Sequence, residues 1–190
     1  MMRFSPSPEP EGFDSDVRQK GRAWLAANPT GRPPDYWSPF RPQLRDAFCW
    51  LCAYTVMRVE QGTVDHFVSC DEDRSRAYEW DNYRLAQQWL NSSKSNVPGS
   101  AILDPFLVCD EWFEIHLPSL QLVLTDAVPD GVLAKARYTL KRLKLVNGEQ
   151  VVSQRQSWLR LYESGKLSLA GLREVAPLLA RAVEKRDATT

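Results

Sequence analysis

Residues 63–94 read TVDHFVSCDEDRSRAYEWDNYRLAQQWLNSSK, with polar side chains of chemical interest at the beginning, in the middle and at the end. Asp65 and His66 are adjacent, Asn82 is central, and Asn91 is followed three residues later by Lys94. If residues 65 and 66 lie on a strand, their side chains point to opposite faces. Asp65 could then bind a metal ion while His66 acts as a general base without binding that ion. Each residue also has a plainer interpretation: Asn82 as a helix cap, Asn91 as a helix end, and Lys94 as a solvated cation. The order and spacing of these five residues together favour a functional site.

Short strands and one helix are expected around these residues. The segment 49–68, CWLCAYTVMRVEQGTVDHFV, predicts a knuckle, a short strand, a turn at Gln61-Gly62 and a second short strand that ends in the Asp-His pair. The charged run DEDRSRA predicts a loop, and a helix is expected from Trp80 to Leu90.

The flanking parts of the chain predict further elements. The first dozen residues are rich in Pro and Ser and predict a disordered tail, after which Asp14 or Ser15 caps a helix to about Ala27. The segment 28–42 holds five prolines and a glycine, which predicts an extended loop whose aromatic residues pin it to the core.

The C-terminal half predicts a hairpin followed by helices. The segment 112–124 alternates apolar and polar residues around a bend at Pro118-Ser119, as a hairpin or bent strand does. Asp130 is expected to cap a helix, a second helix spans about 149–163, and a third begins near Ser168 and is kinked or ended by Pro177. We therefore expect an α+β protein in three parts: an N-terminal tail, helix and loop (1–44), a core with a hairpin extension (45–127) and a helical region (128–190).

Composition places the chain among globular proteins. It has 190 residues, of which 43% are hydrophobic and 25% charged, enough for one sizeable core. No apolar run reaches the roughly 18–20 residues that cross a bilayer, and the N-terminus has no apolar signal region, so we expect a cytoplasmic protein without a membrane partner. The net charge is zero, but residues 60–126 hold 12 acids and 4 Lys or Arg, whereas residues 131–186 hold 12 Lys or Arg and 4 acids. This asymmetry suits a cation site beside a phosphate-binding surface, and two ordinary solvated faces would look the same.

The cysteine pattern is half of a familiar motif. Cys49 and Cys52 form a CxxC without a second CxxC, whereas a structural zinc site usually has four ligands. Structural Zn²⁺ is therefore not expected, and on spacing alone the two residues are interpreted as buried thiols. A redox role would need a βαβ context near the CxxC, which the sequence does not predict.

The set at 65–94 has the parts that hydrolysis of a phosphodiester by a single metal ion requires. A carboxylate and an amide oxygen are suitable ligands for Mg²⁺ or Mn²⁺, which keep several waters. A histidine can take the proton of the attacking water, and a lysine one turn beyond the second ligand can meet a phosphate.

At this point the sequence resembles the HNH endonuclease family, whose fold is the ββα-metal motif. The resemblance is carried by CWLC, VDHF, YEWDNYRLA and LNSSK, between Phe48 and Lys94. It implies that Asp65 and Asn91 bind the divalent metal, His66 is the general base, Asn82 braces the loop that orients His66, and Lys94 contacts the phosphate or the loop. Many relatives carry a second cysteine pair before the final Asn, and here Gln87 and Leu90 occupy those positions. The resemblance therefore implies that Cys49 and Cys52 are a vestigial zinc knuckle, either as inert packing residues or with further ligands such as Cys70 or Cys109.

The resemblance extends less specifically into the C-terminal region. The segment 138–162, YTLKRLKLVNGEQVVSQRQSWLRLY, is similar to the region after the nuclease core of prokaryotic anti-phage HNH proteins of the Septu and retron-associated types. The resemblance implies a DNA-cleaving HNH endonuclease in anti-phage defence, with an ATPase or another defence protein as a partner. The alternative is an inactive HNH-derived module that docks a partner protein, which the lost cysteine pair favours.

A basic helix face is a candidate DNA contact. Arg137, Lys141 and Lys144 fall at i, i+4 and i+7, and Arg155 and Arg160 sit similarly on the next helix. Such residues bind the DNA backbone or form a solvated face opposite the apolar stripe, and the sequence allows both interpretations.

Overall fold

Two small antiparallel sheets and seven α-helices are found in residues 1–189, the part of the chain described by this computed structural model. The first sheet and its helix form the centre of the chain, and the second sheet packs with the C-terminal helices. In chain order the elements are α1 (Gln19–Ala27), α2 (Arg41–Ala47), β1 (Thr63–His66), β2 (Tyr83–Ala86), α3 (Gln88–Lys94), β3 (Phe113–His116), β4 (Gln121–Leu124), α4 (Asp130–Arg142), α5 (Glu149–Glu163), α6 (Leu169–Val175) and α7 (Pro177–Asp187). The expected α+β class is confirmed.

The central unit has the order strand, strand, helix. β1 and β2 pair antiparallel, with His66 opposite Tyr83, and α3 begins two residues after β2 ends. The predicted helix from Trp80 to Leu90 is wrong, because residues 83–86 form β2 and the helix begins only at Gln88. All four β2 residues are buried, so pairing with β1 and burial override the local helical pattern.

The knuckle before β1 differs in detail from the prediction. A first strand is absent from residues 49–60; a single antiparallel bridge joins Leu51 and Arg58. Three residues around the turn, Cys49, Trp50 and Val56, have positive φ angles. The chain therefore reverses too tightly for a regular strand to extend.

The N-terminal segment is not a disordered tail. Phe4 and Phe13 are buried, Phe4 packs 4.9 Å from the ring of Phe48, and Phe13 packs 5.3 Å from the ring of Trp80. Burial of two aromatic rings offsets the entropy lost on ordering this Pro-rich segment. The helix that follows includes a π-helical turn, Asp14–Arg18, and neither predicted residue caps it: the N-cap is Phe13, without a side-chain cap.

The proline-rich loop is pinned as predicted, but it is shorter. Tyr36 stacks 5.7 Å from Tyr78, and Trp37 lies 4.6 Å from the ring of His66. A short 3₁₀ turn, Ser38–Phe40, leads into α2. This helix was not predicted, because its first residues belong to the proline-rich segment. Proline is compatible with the first turn of a helix, where its missing N–H has no intrahelical partner.

The C-terminal half follows the sequence prediction closely. β3 and β4 form the expected hairpin, and Pro177 begins α7 one residue beyond the end of α6. Asp130 is the first residue of α4 and not its predicted cap, since the N-cap is Pro129 without a side-chain hydrogen bond. The Oγ of Ser168 caps α6 by accepting a hydrogen bond from the Gly171 N–H at 3.0 Å. Within residues 1–189, every helix is too short or too polar to cross a bilayer.

Arg155 lies inside this half, contrary to its expected place on a basic surface. Its guanidinium donates hydrogen bonds to the carbonyls of Leu120 at 2.7 Å, Leu145 at 3.0 Å and Val146 at 3.4 Å. Burial lowers the pKa of Arg155 to about 10, so the group stays protonated at neutral pH. It joins α5 to the hairpin and to the turn after α4.

Candidate functional site

His66 ends β1 with one ring nitrogen already bound. Its Nε2 lies 2.9 Å from the carbonyl oxygen of Ala77. A carbonyl oxygen only accepts, so Nε2 carries the proton, and Nδ1 of the neutral ring is an acceptor. Burial is the main cause that lowers the pKa of His66 below its usual 6.5, which keeps the ring neutral at neutral pH. His66 thus has the tautomer and charge of a general base.

Asn82 is the last residue of the loop between β1 and β2, and its side chain binds the start and the middle of that loop. Its Oδ1 accepts a hydrogen bond from the Val68 N–H at 2.8 Å, and its Nδ2 donates to the carbonyls of Val68 at 3.0 Å and Arg76 at 2.9 Å. Because Ala77 follows Arg76 directly, this amide also fixes the segment whose carbonyl holds His66. The Tyr83 hydroxyl donates to the same Ala77 carbonyl at 2.9 Å.

A cavity of about 840 Å³ brings His66 and Asn91 together. Asn91 lies on α3 and donates from Nδ2 to the Val64 carbonyl at 3.2 Å, which leaves its Oδ1 without a protein donor among residues 1–189. The opposite wall is the proline-rich loop, from Gly31 to Asp35, with Trp37. Two arginines and two aspartates also line the cavity: Arg32, Arg74, Asp35 and Asp71.

Asp65 lies apart from this cavity wall, in a buried pair with Lys94. The Nζ of Lys94 is 3.0 Å from Asp65 Oδ1 and 2.5 Å from the His66 carbonyl oxygen, and the Tyr54 hydroxyl donates to Asp65 Oδ2 at 2.5 Å. The side chains of Lys94 and Asp65 are 1% and 2% exposed. Of the two contacts predicted for Lys94, with a phosphate or with the loop, this structure has a bond to the His66 carbonyl at the start of the loop, while the buried carboxylate keeps the ammonium away from a phosphate in the cavity.

The oxygen donors of Asp65 and Asn91 are chemically suited to a hard divalent cation, but in this structure Asp65 is buried in its pair with Lys94, and of the two residues Asn91 alone lines the cavity. Each oxygen of Asp65 accepts one hydrogen bond and keeps a further acceptor position, and Asn91 offers a free amide oxygen. Oxygen ligands of this kind suit Mg²⁺ or Mn²⁺. Within residues 1–189, no three His, Cys, Asp or Glu residues gather in a way that could hold a metal, and a pair of one carboxylate and one amide would form no such group. Lys94 already supplies a counter-charge to Asp65.

The basic helix face is only partly as predicted. Arg137 and Lys141 are exposed on α4, whereas Lys144 follows the helix end and has a φ of +53°. The i, i+4, i+7 row is therefore interrupted at its last member. Arg142, at the end of α4, donates to the Lys94 carbonyl at 3.4 Å, which places the basic end of α4 beside the end of α3.

The cysteines of the knuckle differ in exposure. Cys52 is buried as predicted, whereas the prediction is wrong for Cys49, which is exposed; both are free thiols. Cys70 lines the cavity, and burial raises the pKa of its thiol, so at neutral pH it is a weak nucleophile.

Three contributions to the site were not predicted from sequence. Tyr54 binds Asp65, the Ala77 carbonyl binds His66, and Arg32 lies on the cavity wall. Backbone carbonyls and loop arginines carry no sequence signal, and Tyr54 stands in an apolar run typical of the core. The expected aromatic anchor Trp37 reaches the edge of the His66 ring.

Comparison with models of known protein families and with curated proteins finds no match to this chain. An assignment of function therefore depends on the residues and geometry of the site.

Proposed function

We propose that this protein is a divalent-metal-dependent endonuclease of the HNH type that hydrolyses phosphodiester bonds of DNA. The observation that carries the proposal is the state of His66: Nε2–H is bound to the Ala77 carbonyl, and Nδ1 is left as a proton acceptor. Asn82 fixes the loop that supplies this carbonyl. His66 also lies on the wall of the same cavity as Asn91.

In the proposed reaction, His66 works on a water molecule in the cavity. Nδ1 takes a proton from the water as its oxygen bonds to phosphorus, and the bond from phosphorus to the leaving oxygen breaks. The leaving oxygen takes a proton from solvent, and the imidazolium then returns its own proton to solvent. A Mg²⁺ or Mn²⁺ ion held by Asp65 and Asn91 would supply positive charge to the phosphate and the leaving oxygen. Asn82 acts indirectly, by holding the loop that orients the ring.

DNA is the proposed substrate because exposed cations lie next to this unit. The basic end of α4 is joined to the end of α3 by the bond from Arg142 to the Lys94 carbonyl. Arg137 and Lys141 extend that surface along α4. Cations of this kind position the nucleic-acid backbone without reading its sequence.

The second candidate is an HNH-derived module that docks a partner protein without cutting. The observation that favours it is that Tyr54 and Lys94 already bind the two carboxylate oxygens of Asp65, since a carboxylate that no longer binds a metal can take such internal partners. An ATPase or another anti-phage protein is the partner that the resemblance suggests.

Plasmid cleavage by the purified protein tests both candidates. The reaction is run with Mg²⁺, with Mn²⁺ and with EDTA, for wild type, for His66→Ala and for the matched control His116→Ala. His116 is exposed on β3, where its Nδ1 contacts the Ser119 hydroxyl at 2.7 Å. We expect metal-dependent nicking that His66→Ala abolishes and His116→Ala retains. Folded wild-type protein that cuts with neither metal would favour the docking module, and equal cutting by His66→Ala would refute the mechanism.

A further inference from the structure

The cavity at His66 lacks the phosphate-binding lysine that the sequence predicts, because Lys94 is buried in its pair with Asp65. The cations that line the cavity are Arg32 and Arg74. Asp35 and Asp71 line the same cavity, so the formal charges of these four side chains sum to zero. An anion can therefore bind only at an arginine whose guanidinium has no partner in the protein.

Arg74 is not free, because it holds the proline-rich loop. Its guanidinium donates to the Gly31 carbonyl at 2.7 Å and to the Asn28 carbonyl at 3.1 Å. Its role is therefore to fix the wall of the cavity.

Arg32, by contrast, does not bind the loop. Its side chain is exposed and makes no hydrogen bond or ion pair within residues 1–189. It is the cavity arginine that remains available for a ligand.

The backbone on both sides of Arg32 is held in place. The Gly31 carbonyl is bound by Arg74, and the Pro34 carbonyl accepts a hydrogen bond from the Tyr78 hydroxyl at 2.9 Å. Pro33 and Pro34 restrict the following φ angles. A cation on a fixed backbone loses less conformational entropy on binding than one on a mobile loop.

We propose that Arg32 binds a phosphate of the DNA strand that enters the cavity between the proline-rich loop and α3. This inference rests on the proposed function for its substrate. Arg32 takes the role that sequence spacing gave to Lys94. A guanidinium is well suited to it, because its planar fork matches two phosphate oxygens.

The test is binding of a short fluorescent DNA duplex, measured by anisotropy in EDTA over a range of salt concentrations. The variants are Arg32→Gln and the matched control Arg3→Gln, an exposed arginine outside the cavity whose side chain makes no hydrogen bond or ion pair within residues 1–189. We expect Arg32→Gln to weaken binding about tenfold, the loss of one charge-assisted contact, and to reduce the slope of log K against log salt by about 0.9. Arg3→Gln should leave both values near those of wild type.

Binding and cleavage separate this inference from the proposed function. Equal losses for Arg32→Gln and Arg3→Gln, no loss for either, or no DNA binding by wild type would overturn the role of Arg32. Wild type that binds DNA in an Arg32-dependent manner but never cuts would contradict the nuclease and leave the phosphate contact standing. In an active enzyme, Arg32→Gln should raise KM more than it lowers kcat.

Discussion

Replacement of Lys94 by Met tests the buried pair at the centre of the site. Met keeps the length and much of the volume of the lysine stem but removes the ammonium that lies 3.0 Å from Asp65 Oδ1. The carboxylate then stays in the core, with the Tyr54 hydroxyl as its remaining side-chain donor. The His66 carbonyl also loses its bond from Nζ.

The expected cost follows from the geometry. Two unit charges 3.0 Å apart attract by about 5–6 kcal/mol at an effective dielectric constant of about 20. Removing one partner of a buried pair typically costs about 3–5 kcal/mol, because the other charge is left uncompensated. We expect Lys94→Met to lower the free energy of unfolding by about 3–5 kcal/mol. At about 2–4 °C per kcal/mol, Tm should fall by roughly 10 °C.

Urea and thermal unfolding, followed by circular dichroism in EDTA, measure this loss. The matched control is Lys185→Met, because Lys185 pairs with Glu114 at a similar 3.1 Å but the two side chains are 75% and 45% exposed. The control should change the free energy of unfolding by less than about 1 kcal/mol. Adding Asp65→Asn to Lys94→Met should recover most of the loss, because it removes the orphaned charge. A Lys94→Met loss as small as that of the control, or no recovery in the double variant, would refute the reasoning.

Two further predictions concern Asn82 and Arg155. Asn82→Ala leaves three backbone groups of the loop without their partner, so the free energy of unfolding in urea should fall by about 2–4 kcal/mol. Plasmid cleavage should fall strongly while DNA affinity is retained. A folded Asn82→Ala protein that cuts at the wild-type rate would contradict the bracing role. Arg155→Met removes the donor to three carbonyls and should lower the free energy of unfolding by about 2–4 kcal/mol without changing DNA affinity, whereas a surface DNA contact would show the reverse in the same two measurements.

Elements with a strong local pattern could be predicted from the sequence. Apolar and polar residues alternate along 112–124, and the hairpin forms there; α5 has the predicted bounds, Glu149–Glu163. β2 could not be predicted in this way, because Tyr83–Ala86 is a strand only through its pairing with β1, some 20 residues earlier in the chain. Such nonlocal pairing leaves little trace in local propensity.

The site shows the same division between local and nonlocal information. The positions of His66, Asn82 and Asn91 in the unit follow from their order along the chain. The partners of Lys94 and Arg32 do not, because a lysine at a helix end is usually solvated and an arginine in a proline-rich loop has no periodicity. Which cation is buried and which remains free depends on the packing around Asp65, which brings together residues 29 positions apart.

The buried pair also has a consequence for the proposed metal. Lys94 neutralises Asp65, so the fold does not need a divalent ion to keep this carboxylate in the core. The same ammonium reduces the attraction of the free site for a divalent cation, since a cation meets a neutral pair rather than a lone carboxylate. A DNA phosphate in the cavity would restore the missing negative charge and add an oxygen ligand, as is common for Mg²⁺ sites. Metal affinity of the free protein is therefore a poor criterion for deciding between nuclease and docking module, and cleavage of DNA in the presence of metal is the decisive one.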